Sequence, residues 1–260
     1  MKISILLPYK ENFSSKYAGA VSLFTKDTTA KSRYKDSITI FGFTKYKSKL
    51  LKNYINLNIK KNLLQSNSKI YVQEFLKYEN KSPSDLIEIH NRPNYINFLS
   101  KSTGSKLILY FHNDPLTMNG SRSTPERIEL LNTTSQLIFN SKWSRDRFLE
   151  GLNKSEIDSN KLFILYQSSN KVKVDFKNKK KIISFVGKLN SAKGYDLFGN
   201  AIIRILNKYK DWKGVVIGDE PREKHIFKHK NLKILGFKSH KYVLNNFAKS
   251  SISVVCSRWN

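Results

Sequence analysis

The stretch of this sequence best suited to chemistry is Phe185-Val-Gly-Lys-Leu-Asn-Ser-Ala-Lys-Gly194. An apolar run ends at Gly187, Lys188 follows at once, and Lys193-Gly194 opens a segment of helical period. That arrangement predicts two ammonium groups and the amides of a helix N-terminus around the carboxyl end of a strand. Open parallel sheets bind their ligands at that end. The loop formed by Gly187, Lys188, Lys193 and Gly194 is therefore expected to hold a pyrophosphate. It is not a Walker loop, because the glycine spacing and the terminal Ser or Thr are missing. Without a bound anion, the same two lysines would be ordinary solvated side chains.

Three further loops carry candidates. Phe111-His-Asn-Asp-Pro115 directly follows the apolar run Lys106 to Phe111. A histidine there is expected to face the crevice and to exchange a hydrogen bond with a sugar hydroxyl, which makes His112 the candidate catalytic residue. Ile89-His-Asn-Arg-Pro93 has the same placement, and its Asn91 and Arg92 are candidates to bind an anionic acceptor. Tyr17-Ala-Gly-Ala20 lies between the first strand and its helix, where Gly19 would let the backbone approach a ligand closely.

These loops need a scaffold of strands and crossover helices. Strands are predicted at Ile3 to Leu7, Ser37 to Phe43, Leu86 to Ile89, Lys106 to Phe111, Gln136 to Phe139 and Leu162 to Tyr166. A polar, lysine-rich stretch follows, and the alternation restarts with Ile182 to Val186, Gly214 to Ile217, Leu232 to Leu235 and Ile252 to Val255. Between the first two of these, Tyr195, Phe198, Ile202, Ile205, Leu206 and Tyr209 fall on one helical face. The fold class is α/β, with two Rossmann-like doubly wound domains. They are expected at residues 1–168 and 182–260, joined by a linker at 169–181, and the second, of about 80 residues, is expected to be incomplete.

Composition sets the outer bounds. The 260 residues are 39% hydrophobic and 26% charged, and apolar segments recur along the whole length, which excludes a disordered chain. A lone cysteine, Cys256, excludes a disulfide framework and fits a reducing compartment. The run Ile3 to Leu7 is too short for a signal-peptide core, so a cytoplasmic protein is expected. The net charge of +27 raises the possibility of a nucleic-acid partner, but the surplus is 12 over residues 1–168 and 15 over residues 169–260, with no basic tail and no zinc-ligand spacing. No nucleic acid is expected. One segment suggests peripheral contact with an anionic membrane: Lys45, Lys47, Lys49, Lys52, Lys60 and Lys61 alternate with Leu50, Leu51, Tyr54, Ile55, Leu57 and Ile59, with no acid among them.

Taken together, the loops resemble those of the retaining nucleotide-sugar glycosyltransferases of family 4, whose two-domain architecture is called GT-B. The resemblance rests on the glycine loop at Gly19, the His112 loop, Phe139-Asn-Ser-Lys-Trp-Ser144 opening a helix, the Gly187 to Gly194 loop, and Val216-Ile-Gly218 followed by Leu235-Gly-Phe237. It implies that Lys188 and Lys193 neutralise the donor diphosphate and that His112 contacts the transferred sugar. The family pattern has arginine where this chain has Lys188, so the charge is kept and the planar fork is lost. The family's paired-glutamate motif should begin just beyond Val255-Cys-Ser-Arg-Trp-Asn260, so the sequence reads as a fragment of a longer enzyme or as a degenerate relative.

The resemblance implies a nucleotide-sugar donor and a glycan or lipid-linked acceptor of the cell envelope. Fixed cations would stabilise the charge that develops on the leaving diphosphate. No cofactor and no metal are expected, since the sequence contains no Asp-x-Asp pair to hold a divalent ion. The competing readings are a sugar-nucleotide epimerase, which would need cleft carboxylates to move protons, and a non-catalytic basic protein that binds nucleic acid or membrane.

Overall fold

The computed structural model describes residues 1–60, 65–223 and 225–258, and the chain divides into two compact units, 1–169 and 170–260. The first unit alternates strands and helices: β1 (Ile3–Leu6), α1 (Ala20–Lys31), β2 (Ile38–Gly42), β3 (Tyr54–Asn56), α2 (Asn67–Glu79), β4 (Leu86–His90), α3 (Pro93–Ser100), β5 (Lys106–Phe111), α4 (Thr124–Thr133), β6 (Gln136–Phe139), α5 (Lys142–Leu149) and β7 (Leu162–Ile164). All seven strands are parallel, in the order β3-β2-β1-β4-β5-β6-β7. The order reverses between β1 and β4, which is where a doubly wound sheet opens its ligand crevice.

Strands covered on both faces are apolar on both faces, and β1 is buried along its whole length. On one face Ile87, Ile89, Leu107, Leu109 and Phe111 join Tyr71, Phe75, Tyr95, Leu130 and Phe148 from the helices in the main core. On the other face, Ile3, Ile5, Ile38 and Ile40 pack with Val21 and Phe13. Side chains start the helices: Ser66 caps α2, while Ser123 with Glu126 and Ser141 with Ser144 form capping boxes on α4 and α5.

The segment expected to lie on a membrane contributes its apolar side chains to the core. It contains β3, for which the lysine-rich pattern predicts no strand. Tyr54 and Leu57 are buried, Leu50 and Leu51 pack on one core, and Ile55 and Ile59 pack on the other. Its apolar side chains are therefore used inside the protein, and the Lys49 ammonium sits 4.6 Å from the centre of the Tyr54 ring. Lys61 lies outside the described residues. No described helix is long and apolar enough to cross a membrane.

The second unit contains β8 (Lys180–Val186), α6 (Tyr195–Lys208), β9 (Lys213–Ile217), β10 (Leu232–Ile234), α7 (His240–Lys249) and β11 (Ser250–Val254). Its parallel sheet runs β10-β9-β8-β11, the same order as β3-β2-β1-β4 in the first unit. Lys180 and Lys181, expected in the linker, are the first two residues of β8. The predicted face of α6 is buried at Tyr195, Phe198, Ile202 and Leu206 and packs on Ile183, Phe185 and Val216. Tyr209 lies just past the helix and is exposed, because the turn ends one residue before it.

Candidate functional site

In the second unit the strand ends are joined by glycines. The Gly187 N–H donates to the Ile217 carbonyl (3.0 Å) and the Gly218 N–H to the Gly236 carbonyl (3.0 Å). Gly218 has φ +142°, and a Cβ there would stand 1.8 Å from the Gly187 oxygen, so only glycine fits. The Asn190 side chain then accepts from the Lys193 N–H (3.0 Å) and organises a short turn, Ser191–Lys193. Gly194 adopts φ +69° and leads into α6. These contacts fold the loop back on itself: a Cβ added at Gly187 would lie 4.0 Å from that of Lys193.

Gly187, Lys188, Lys193 and Gly194 are thus brought together beside the point where the order of the second sheet reverses, between β8 and β11. Lys188 and Lys193 are exposed, and neither pairs with a carboxylate among the described residues. The amides of the α6 N-terminus are less available than the loop pattern predicts. The Tyr195 N–H is bonded to the Asn190 carbonyl (3.1 Å), and Glu223 accepts from the Ser191 N–H (2.9 Å). Asp196, in the first turn, receives hydrogen bonds from its own N–H and from that of Leu197. These amides are therefore committed to partners within the chain, while the Lys188 and Lys193 ammonium groups are exposed.

A third cation at the mouth was not foreseen. Arg258, beyond β11, grips Asp196 with both terminal nitrogens (2.8 and 2.7 Å), and its backbone N–H donates to the Ala192 carbonyl (3.0 Å). The hydrogen bonds from Arg258 hold the Asp196 carboxyl down to about 2. Arg222 does the same to Glu220, with Lys188 adding to the field, and that carboxyl also falls to about 2. Cys256 lies against Gly194, its thiol 3.0 Å from the Gly194 carbonyl and pushed up by burial. Arg258 is 62 positions from Asp196, a separation no local pattern reveals.

In the first unit, the His112 loop is tightly held. The Asn91 side-chain oxygen accepts from the His112 N–H (2.7 Å), Asn140 donates to the His112 carbonyl (2.8 Å), and Asp114 pairs with Arg147 (3.2 Å). Asn91, expected at an acceptor, is buried with φ +51°, and its oxygen is committed to this loop. Arg92 turns a terminal nitrogen back to the Asn91 carbonyl (2.8 Å). The His112 ring is buried rather than open to the crevice. Its Nε2 is 2.7 Å from His90 Nδ1, and its Nδ1 is bonded to the side-chain nitrogen of Gln167. Burial, and then His90, depress its pKa to about 2, so the ring is neutral at physiological pH.

Gly19, expected to admit a ligand, faces a side chain of the protein itself. Glu11 Oε1 accepts from the Ser22 N–H (2.9 Å) at the start of α1, and a Cβ on Gly19 would stand 2.3 Å from that oxygen. The glycine makes room for an internal carboxylate that fills the helix N-terminus.

Comparison with known proteins addresses the architecture. HepE from Anabaena, solved in complex with UDP-glucose, superposes with a TM-score of 0.71 at 14% identity, over 99% of this chain and 74% of that one. The fold is GT-B. Sucrose-phosphate synthase from Thermosynechococcus elongatus gives 0.70 at 12% identity, over 99% of this chain and 76% of the other. WaaB, a lipopolysaccharide outer core galactosyltransferase, gives 0.62 at 13%, over 99% and 74%. Residues 167–260, which span the lysine-bearing loop, match the sequence profile of the glycosyl transferases group 1 family. Comparison with curated protein sequences gives no match.

Proposed function

We propose that this GT-B chain binds a nucleotide sugar and transfers its sugar to an acceptor hydroxyl. The observation that carries the reading is the pair of exposed lysines, Lys188 and Lys193, at the carboxyl end of β8, neither of them in an ion pair among the described residues, within the segment that matches group 1 glycosyl transferases. Cleavage of the bond between the anomeric carbon and the diphosphate leaves negative charge on the leaving oxygen. Two ammonium groups drawn onto that oxygen would stabilise the transition state more than the ground state. They supply this stabilisation without a metal ion.

His112 contacts the transferred sugar in this reading. Its loop is pre-set by Asn91, Asn140 and Asp114, and a sugar hydroxyl would take the place of the Gln167 amide at Nδ1. Retention of configuration and a glycan or lipid-linked envelope acceptor are the finer parts of the proposal, and they follow from the family resemblance. Epimerisation is disfavoured by the carboxylates at the mouth. Asp196 and Glu220 are held near pKa 2 by arginines, which suits fixed charges and not groups that shuttle protons near neutral pH.

The test is calorimetric titration of the chain with UDP and with UDP-glucose, in parallel with a titration against short duplex DNA over a salt series. Saturable binding of UDP-glucose below about 1 mM is expected. No heat from either nucleotide, together with steeply salt-dependent DNA binding, would overturn the reading in favour of a basic nucleic-acid protein.

A further inference from the structure

The face of the first sheet that packs under α1 carries an unusual file of polar and aromatic groups. Glu88 and His90 alternate with the core residues Ile87 and Ile89 on β4, so they point to the opposite face. His90 is paired in register with Tyr110 on β5, and the His90, Tyr110 and His112 rings stack in near-parallel planes, with Tyr110 to His112 at 4.3 Å. Phe24 of α1 meets all three edge-on. Within this stack the side chains Glu88, His90, His112 and Gln167 form a line of close polar contacts.

We propose that Glu88 and His90 are positioning residues that lock the His112 ring in the Nε2-protonated tautomer, leaving the Nδ1 lone pair aimed at the exposed Gln167 side. Both ends of the line give the same direction. A carboxylate can only accept, and Glu88 Oε1 lies 2.7 Å from His90 Nε2, a close contact that is not aligned as a hydrogen bond but sets a negative charge beside that nitrogen and favours its protonation. His90 therefore carries its proton on Nε2 and offers Nδ1 as an acceptor. His112 Nε2 must then be the donor across the 2.7 Å contact, and Nδ1 is left with a lone pair. At the other end, the Gln167 amide nitrogen, a donor, meets that same Nδ1. His90 is fully buried, so no solvent competes for either of its nitrogens.

The consequence for substrate rests on the transferase reading: a locked Nδ1 lone pair accepts a hydrogen bond from a sugar hydroxyl and cannot donate one. The tautomer itself does not depend on that reading. Long-range proton–nitrogen correlation spectra of the histidine-labelled chain report which nitrogen of each ring is protonated. Wild-type His112 is expected to show a single tautomer with Nε2 protonated. His90→Phe removes the acceptor and should give averaged His112 nitrogen shifts, while His90→Asn, whose Oδ1 replaces Nδ1, should restore the single tautomer.

Glu88→Leu, at a partly exposed strand position, provides the same test if His90→Phe does not fold, and it too should give averaged shifts. A protonated Nδ1 in the wild type, or an unchanged His112 pattern in His90→Phe or Glu88→Leu, would overturn the proposal. Addition of UDP-glucose, but not UDP, should then move the His112 Nδ1 resonance. If the tautomer is as expected and UDP-glucose moves nothing, the sugar-contact reading fails while the positioning relay stands.

Discussion

In each unit the helix that follows the first strand begins at a glycine, yet the two helix N-termini present opposite charge. At α1, the Glu11 carboxylate sits on the Ser22 N–H with no cation paired to it among the described residues, so the terminus is already occupied by an anion. At α6, the first-turn Asp196 is neutralised by Arg258, and Lys188 and Lys193 are left unpaired. A parallel sheet supplies the same location twice, but the loops decide whether it attracts or repels a phosphate. The fold offers the site, and the side chains around it set the sign of its field.

The glycines themselves provide the strongest way to break this contrast. Gly218→Ala forces a Cβ to 1.8 Å from the Gly187 oxygen at a φ that disfavours side chains, and the neighbour it meets is backbone rather than a flexible side chain. It should cost about 3 kcal/mol or more, seen as a large fall in the melting temperature of the second unit. Gly19→Ala meets only the flexible end of Glu11, at a φ of −81° that alanine tolerates, so it should cost less than about 1 kcal/mol and open the α1 terminus. Equal losses for the two variants would show that the termini are built alike.

Nucleotide affinity tests the charge half of the comparison. Replacing both Lys188 and Lys193 by alanine removes two charge-assisted contacts and should weaken UDP binding about a hundredfold in calorimetry, with an unchanged melting temperature. Glu11→Gln should leave UDP affinity unchanged or raise it by a few-fold at most. A lysine double variant that still binds UDP normally would remove the basis for the proposed donor site.

Acid titration separates the two units by a smaller effect. The His112 ring stays neutral in the folded protein down to about pH 2, whereas in the unfolded chain it takes up a proton near pH 6.5. Between those values the unfolded state binds more protons, so this group makes the first unit lose stability as pH falls from about 6.5. His112→Gln should flatten that part of the melting profile. Asp196 acts in a lower window: its contribution is full above 3.8 and is lost as pH falls through about 2. Arg258→Ala should abolish this low-pH component, and it should weaken UDP binding only a few-fold by exposing the Asp196 charge to the diphosphate. An unaltered acid profile in either variant would refute the corresponding assignment.

Most strands and the α6 helix could be read directly from the chain, because apolar runs and a spacing of three and four are local signals. β3 was hidden: its three residues lie among lysines that imitate an amphipathic surface, and only burial of Tyr54 and Leu57 distinguishes the two. The candidate loops were legible for the same local reason, as Gly187, Lys188, Lys193 and Gly194 lie within eight positions. The roles of Asn91 and Gly19 were not. Each is decided by a hydrogen-bonding partner elsewhere in the chain, the His112 backbone for one and the Glu11 carboxylate for the other.

By itself, then, the sequence determined the α/β alternation and the positions of the lysine-bearing and histidine-bearing turns, since both are written in residues a few places apart. Tertiary structure alone decided that Glu11 fills one helix terminus, that Arg258 neutralises Asp196 at the other, and that His90 stands behind His112. These pairs are separated by 11, 62 and 22 positions and meet only once the loops of each unit have folded. A hydrogen bond depends on distance and angle in space, and neither is recorded in the order of residues.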